Sequence, residues 1–236
     1  MTAAGPGSPE AASEAASIFG SRLPQAVRYA DLLVSAGAER GIVGPAEADR
    51  IWDRHLLNCA VIASLMPASG TVIDVGSGAG LPGIVLAIVL PDARVTLLEP
   101  MARRVDFLHE CVRELGLGNV QVRRGRAEEL AGRVSADIVT ARAVAPLPRL
   151  AVLTARLARP GGRVLAIKGA SAAAELARAR PVLARLGAGD AQVVQATSAS
   201  GRVMTTVVTF TVRIPAGGSP DGARRSGDGP ATARTR

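Results

Sequence analysis

Residues 71–83 read Thr-Val-Ile-Asp-Val-Gly-Ser-Gly-Ala-Gly-Leu-Pro-Gly, a short β-branched run that passes through Asp74 into Gly76, Gly78, Gly80 and Gly83. An apolar, helix-like stretch to Leu90 follows. Strand, glycine turn and helix in that order form a ligand-binding turn, because glycine tolerates positive φ and lets a ligand approach the backbone closely. In nicotinamide enzymes such a turn meets a pyrophosphate. Here an acid stands immediately before the glycines, and a carboxylate accepts hydrogen bonds only, so a cationic ligand group suits it better. The amino group and sulfonium of S-adenosylmethionine fit that description.

Outward from the turn, β-rich runs alternate with amphipathic stretches: TVIDV, ARVTLLE, NVQVRR, ADIVTA and RVLAIK. This alternation predicts βαβ units and a parallel sheet covered by helices on both faces. The last two runs, AQVVQAT and TTVVTFTV, are joined only by SASGRVM, too short for a crossover helix, so they predict an antiparallel hairpin. An α/β, Rossmann-like fold with a seven-stranded, mostly parallel sheet and that ending is the pattern of class I methyltransferases. Before residue 70, Ala26–Ala36 and Ala46–Leu65 carry apolar residues at helical spacing, broken at Gly41, Gly44 and Pro45. We therefore expect one methyltransferase domain over 18–214, with a helical extension at 18–69 and a Rossmann-like core at 70–214. Residues 1–17 and the basic tail 215–236, both built of small and polar residues, are expected to lack order.

Composition narrows the partners. The chain has 236 residues, 48% of them hydrophobic, enough for one sizeable core. Its +8 net charge and pI near 11.1 suit a polyanionic partner. Cys59 and Cys111 fit neither a disulfide framework nor a zinc site, so no metal is expected. The uncharged stretch Val75 to Pro91 is shorter than a bilayer span and interrupted by glycines. The N-terminus has no basic residue before Arg22, unlike a signal peptide, and a cytoplasmic protein is expected.

The carboxyl ends of the strands supply the candidate site. Glu99 ends the second strand, where a Rossmann-like site places the carboxylate that accepts ribose hydroxyls; a solvated loop acid is the plainer alternative. Ala127 and Glu128 follow the third strand, where a backbone amide or the acid meets an adenine edge, or where the acids merely favour a helix N-terminus. Arg142 ends the fourth strand, on the side where methyl acceptors sit, and holds a phosphate or orients a base unless it is a surface arginine. Lys168, the only lysine, ends the fifth and is read as a phosphate contact, with a surface charge as alternative. Arg142 and Lys168 are thus the candidate catalytic residues. His55 either faces cofactor or RNA or is a buried, hydrogen-bonded histidine.

Absences select the reaction. No Asn or Asp followed by Pro-Pro-Tyr follows the fourth strand, and neither cysteine follows proline, so attack at an adenine amino group or a pyrimidine C5 is disfavoured. Guanine N7 needs neither nucleophile nor base, because its lone pair attacks the sulfonium methyl directly. Alignment is then the enzyme's main task, on a base unpaired or splayed out of its helix. Only five residues are aromatic, so shape and phosphate contacts should dominate, with the pairs Arg103-Arg104 and Arg123-Arg124 either lining a phosphate track or lying on solvated faces.

Several strings together resemble the ribosomal small-subunit methyltransferase G family, formerly glucose-inhibited division protein B. They are Arg54-His-Leu-Leu57, Asp74-VGSGAGLPG-Ile84, Arg103-Arg-Val-Asp-Phe-Leu108, Gly125-Arg-Ala-Glu-Glu129, Ala141-Arg-Ala143 and Ala166-Ile-Lys-Gly169. The resemblance spans about 30–212 and implies methylation of guanine N7 in 16S rRNA of the small ribosomal subunit, with S-adenosylmethionine as donor. By motif position it puts cofactor contacts at Gly76, Leu81, Ala127, Glu128 and Arg142; Asp74, Gly78, Gly80 and Glu99 come from the residues themselves. The family's Trp-Asn-Lys stretch is absent, with Arg40-Gly-Ile-Val-Gly44 in its place, and Asn58 stands where an acid is usual. The competing readings are a class I methyltransferase for a small molecule or protein, and a nucleotide- or RNA-binding module without catalysis. The chain is expected to be a monomer.

Overall fold

The computed structural model describes residues 5–213; the tail read at 215–236 lies outside them. Seven strands form one sheet: β1 Gly70–Val75, β2 Ala93–Glu99, β3 Val120–Arg124, β4 Ala136–Arg142, β5 Ala158–Lys168, β6 Gln192–Thr197 and β7 Met204–Thr211. Their order is β3-β2-β1-β4-β5-β7-β6, with β1 to β5 parallel and β7 antiparallel to both β5 and β6. This is the parallel sheet closed by a hairpin that the runs of sequence predict. Crossovers pass through α4 Gly83–Val89, α5 Ala102–Glu114, α6 Ala127–Leu130 and α7 Leu147–Ala155, and α8 Ala172–Arg185 leads into the hairpin.

Because successive side chains on a strand point to opposite faces, the apolar runs feed two cores at once. Val72, Leu165 and Val207 enter the core shared with the N-terminal helices, α4 and α5. Ile73, Val164, Ala166 and Val208 enter the core beneath α7 and α8. Register then brings the functional ends level: Val75 lies beside Leu98 and Ala141, Glu99 beside Arg124, and Arg142 beside Ile167.

The helical region before residue 70 contains α2 Leu23–Leu32, a wide turn Leu33–Gly37, and a second helical run over Pro45–Leu65 that includes the wide turn Ile51–Leu56 and α3 Leu57–Ala60. One expectation is corrected. The stretch read as unordered to residue 17 contains helix α1, Pro9–Phe19. The Ser8 side chain caps its first turn, Pro9 stands at the helix start, and Ala11, Ala15 and Phe19 are buried on one face. Alanines at this spacing escape a search for large apolar residues, yet they let α1 lie close to its neighbours while Phe19 anchors it. The Phe19 ring meets Trp52 edge-on, centroids 6.2 Å apart.

Phe19→Ala is expected to cost about 3 kcal/mol of unfolding free energy, as truncation of a buried aromatic does. Urea denaturation measures it, and a change within about 0.5 kcal/mol, the range of surface substitutions, would show that α1 does not anchor the fold.

Candidate active site

Between β1 and β4 the strand order reverses direction, and open α/β sheets bind ligands beyond the carboxyl ends at such a point. The glycine turn lies there. Gly76 and Ser77 donate to the Leu98 carbonyl at 2.8 and 3.1 Å, tying the turn to β2. Asp74 lies beneath it, 1% exposed. One of its carboxylate oxygens accepts the Gly83 amide at 3.0 Å and the other the Thr140 hydroxyl at 3.1 Å. Asp74 therefore fastens the turn to α4 and β4, whereas the sequence suggested a direct bond to a cationic ligand group. Burial pushes its carboxyl up to about 6, against the opposing hydrogen bonds from Ser77, Gly83 and Thr140. A Cβ on Gly83 would lie 2.2 Å from Leu97 and 2.7 Å from the Asp74 carboxylate, so only glycine allows this closure. The N-terminal helices join in through Tyr29, whose buried hydroxyl donates to the Ala79 carbonyl at 2.8 Å.

Glu99 fastens the other side. Its carboxylate accepts the Gly78 amide at 2.9 Å and the Met101 amide at 3.0 Å. Each oxygen retains an acceptor position for a hydroxyl. Beside it, the buried Nε of Arg104 has no hydrogen-bond partner among the described residues. Gly125 donates to the Glu99 carbonyl at 3.2 Å, which brings Ala127 and Glu128, at the start of α6, to the same edge. Glu129 closes back on the Arg126 amide, leaving Glu128 exposed. A cradle for a nucleoside with a cationic tail is thus assembled: Gly78, at φ +59°, would carry a Cβ that meets only the Gly76 carbonyl, at 3.8 Å, Leu81 is half-buried, and acceptors and a spare donor flank the turn. These residues fit S-adenosylmethionine.

Arg142 and Lys168 line a neighbouring cavity of about 650 Å³, together with Arg54, Asn58, Cys59, Glu175 and Met204. Arg142 donates to Cys59 Sγ at 3.2 Å and to the Arg54 carbonyl at 3.4 Å, and contacts His55 Nδ1 at 2.6 Å. Glu47 meets the other ring nitrogen of His55, Nε2, at 2.6 Å. Lys168 is 10% exposed. Its ammonium donates to the Ala145 carbonyl at 3.0 Å and to Glu175 at 2.8 Å, and the same Glu175 oxygen accepts the Leu147 amide at 3.0 Å. Lys168 thereby straps the loop after β4 to α8. That loop holds Ala143 at φ +55°, a conformation costly for a residue with a side chain. Of the residues this site depends on, sequence reasoning missed Tyr29, Glu47 and Glu175; no local motif marks them, although Glu47 and Glu175 lie only eight and seven positions from His55 and Lys168.

Comparison with known proteins identifies the family and the fold. The family described as rRNA small subunit methyltransferase G (GidB) matches residues 22–204. A protein of Thermobifida fusca named ribosomal RNA small subunit methyltransferase G is 55% identical over 83% of this chain and 82% of its own. One of the same name from Salinispora tropica is 52% identical over 94% and 95%. Among solved structures, M. jannaschii TYW2 in complex with AdoMet shares the fold at a TM-score of 0.54 and 18% identity, covering 70% of this chain and 78% of its own. A SAM-dependent O-methyltransferase of Thermotoga maritima gives 0.52 at 14% identity, covering 66% and 64%.

The raised Asp74 value gives a test with a defined sign. Its carboxyl titrates at about 6 in the fold against about 3.9 when unfolded. Its contribution is therefore fully present below pH 4 and lost as pH rises through about 6. Asp74→Asn, which removes the charge, should gain stability relative to the unsubstituted chain across that window, by on the order of 2 kcal/mol at pH 8. Thermal melts from pH 4 to 8 measure the difference; a flat difference would contradict the assignment.

Proposed function

The chain belongs to the rRNA small subunit methyltransferase G family, and from that premise we propose that it transfers the methyl group of S-adenosylmethionine to N7 of a guanine in 16S rRNA of the small ribosomal subunit. What carries the choice of N7 is the chemistry lining the cavity beside the glycine turn. The candidate bases and nucleophiles there include Cys59, Glu175 and Lys168, whose ammonium is already paired with the Ala145 carbonyl and Glu175. Burial pushes the Cys59 thiol up to about 11. Glu175 is held below the usual carboxylate range, chiefly by Lys168, and its oxygens are taken by Lys168, Leu147 and Ser171. None of these three groups is suited to remove a proton at neutral pH, and a base with its own lone pair needs none removed.

S-adenosylmethionine supplies an electrophilic methyl group on a sulfonium. The chain's own residues supply alignment, the larger part of what such a transfer asks of a catalyst. Gly76, Gly78, Gly80 and Leu81 form the turn against which the cofactor lies, with Asp74 fixing the turn from below. Glu99 takes the ribose hydroxyls, and Ala127 and Glu128 the adenine edge. Arg142, at the boundary of the two sites, orients the guanine or its phosphate. Lys168 acts at one remove, by holding the loop that carries Ala143 to Leu147.

All five aromatic residues are buried. A splayed guanine must therefore be held by other surfaces, such as the Arg54 guanidinium and the exposed Met204 thioether at the cavity. The basic surplus draws in rRNA phosphates. The working unit is one domain, a Rossmann-like core with its N-terminal helices, acting as a monomer in the cytoplasm. No helix among the described residues is long and apolar enough to cross a membrane.

Small ribosomal subunits lacking the modification, incubated with the chain and labelled S-adenosylmethionine, should yield labelled 7-methylguanosine in 16S rRNA. Transfer should fall steeply with added salt, as phosphate contacts require. Label on another base atom would overturn the N7 reading. No RNA label despite cofactor binding would transfer the proposal to a small-molecule or protein acceptor.

A further inference from the structure

We infer that His55 is a positioning residue for methyl transfer: in one neutral tautomer it bridges Arg142 and Glu47 and so holds the Arg142 guanidinium at the acceptor cavity. The inference rests on the proposed reaction only for the meaning of that cavity; the hydrogen-bond arrangement stands on geometry.

Arginine has five N–H donors and no acceptor. The ring nitrogen that faces Arg142 at 2.6 Å, Nδ1, must therefore carry no proton. A neutral imidazole then bears its hydrogen on Nε2, which points at the Glu47 carboxylate 2.6 Å away. Glu47 in turn lies 3.5 Å from the Arg54 guanidinium. The two arginine contacts and the one carboxylate thus leave a single arrangement in which every donor meets an acceptor.

The local backbone serves this arrangement. Arg54 and His55 occupy the wide helical turn Ile51–Leu56, and such turns recur at functional sites. The same turn presents the Arg54 carbonyl to Arg142, while Cys59 from the next turn takes its other terminal nitrogen. With these bonds made, the remaining N–H groups of Arg142 are left for a ligand in the cavity it lines.

The charged and titratable groups around the ring are Arg142 on β4, Arg54 on the same turn, Glu47 on the preceding turn with Arg50 beside it, and Cys59 beyond Arg142. Burial, the largest influence, lowers His55 below the usual imidazole value, with Arg142 and Arg54 acting the same way and Glu47 opposing. Protonation would turn an N–H toward the guanidinium and set two cations against each other. Arg142 would then be released, so activity is present above the His55 titration and lost as pH falls through it.

The chain has two histidines, His55 and His109, so nitrogen-15 NMR of the ring atoms resolves both, with His109→Gln assigning them. At pH 7 His55 should show a bare Nδ1 and a protonated Nε2, with that preference weakened in Arg142→Ala. A proton on Nδ1 at pH 7 would overturn the inference. In the rRNA assay, His55→Gln, whose amide offers the same acceptor and donor, should keep kcat within a few-fold and abolish the acid limb of the pH profile. His55→Ala should lower kcat by roughly 10²-fold, the scale of a misplaced catalytic contact. An unsubstituted chain that labels rRNA alongside an equally active His55→Ala would also overturn it. If the unsubstituted chain labels no rRNA while its ring shows the expected tautomer, the arrangement stands and the substrate reading fails.

Discussion

Two buried carboxylates, Asp74 and Glu99, hold the rest of the site in place. Backbone amides of a glycine turn have no side chains of their own to fix them, and unpaired they would cost more than the turn returns. Asp74 takes the far end of the turn through Gly83 and ties it to β4 through Thr140. Glu99 takes the middle through Gly78 and the following loop through Met101. The cost is visible in Asp74, where burial outweighs three hydrogen bonds. In return the turn is rigid before any ligand arrives, which lowers the ordering cost of binding.

The acceptor side is built the same way, with charges spent on loops and side chains instead of on solvent. Lys168 is the only lysine among 28 basic residues, and its environment explains the choice. A compact ammonium directs its few donors at Ala145 and Glu175 in a space that is 10% exposed. A guanidinium there would bring five donors in a planar fork and leave some unpaired. Arg142, by contrast, needs the fork, because it must meet Cys59, Arg54 and His55 together and still face the cavity.

Much of this architecture was legible in the residues. β-branched runs separated by helical stretches gave the parallel sheet, and the short SASGRVM link gave the hairpin, because both follow from local periodicity and connection length. The positions of Asp74, Glu99 and Arg142 at strand ends were legible for the same reason. What escaped was whatever depends on contacts between elements. Helix α1 packs through alanines whose burial is decided by α2 and α3, not by its own hydrophobicity. Asp74 looked free to meet a ligand, since nothing local announces that Thr140, 66 positions away, will claim it. Glu175 is only seven positions from Lys168, but it lies on a different element and no spacing rule pairs a strand end with the helix that follows. His55 and Arg142 are 87 positions apart, and no spacing rule connects them.

The most direct test of this account is calorimetric binding of S-adenosylmethionine to the chain and to Glu99→Gln. The substitution keeps the side chain's size but sets a donor against one of the two backbone amides and removes an acceptor for the ribose. The account predicts a loss of affinity of about 10²-fold, the scale of one or two hydrogen bonds to a charged group. An unchanged dissociation constant would contradict the claim that these carboxylates build the cofactor site.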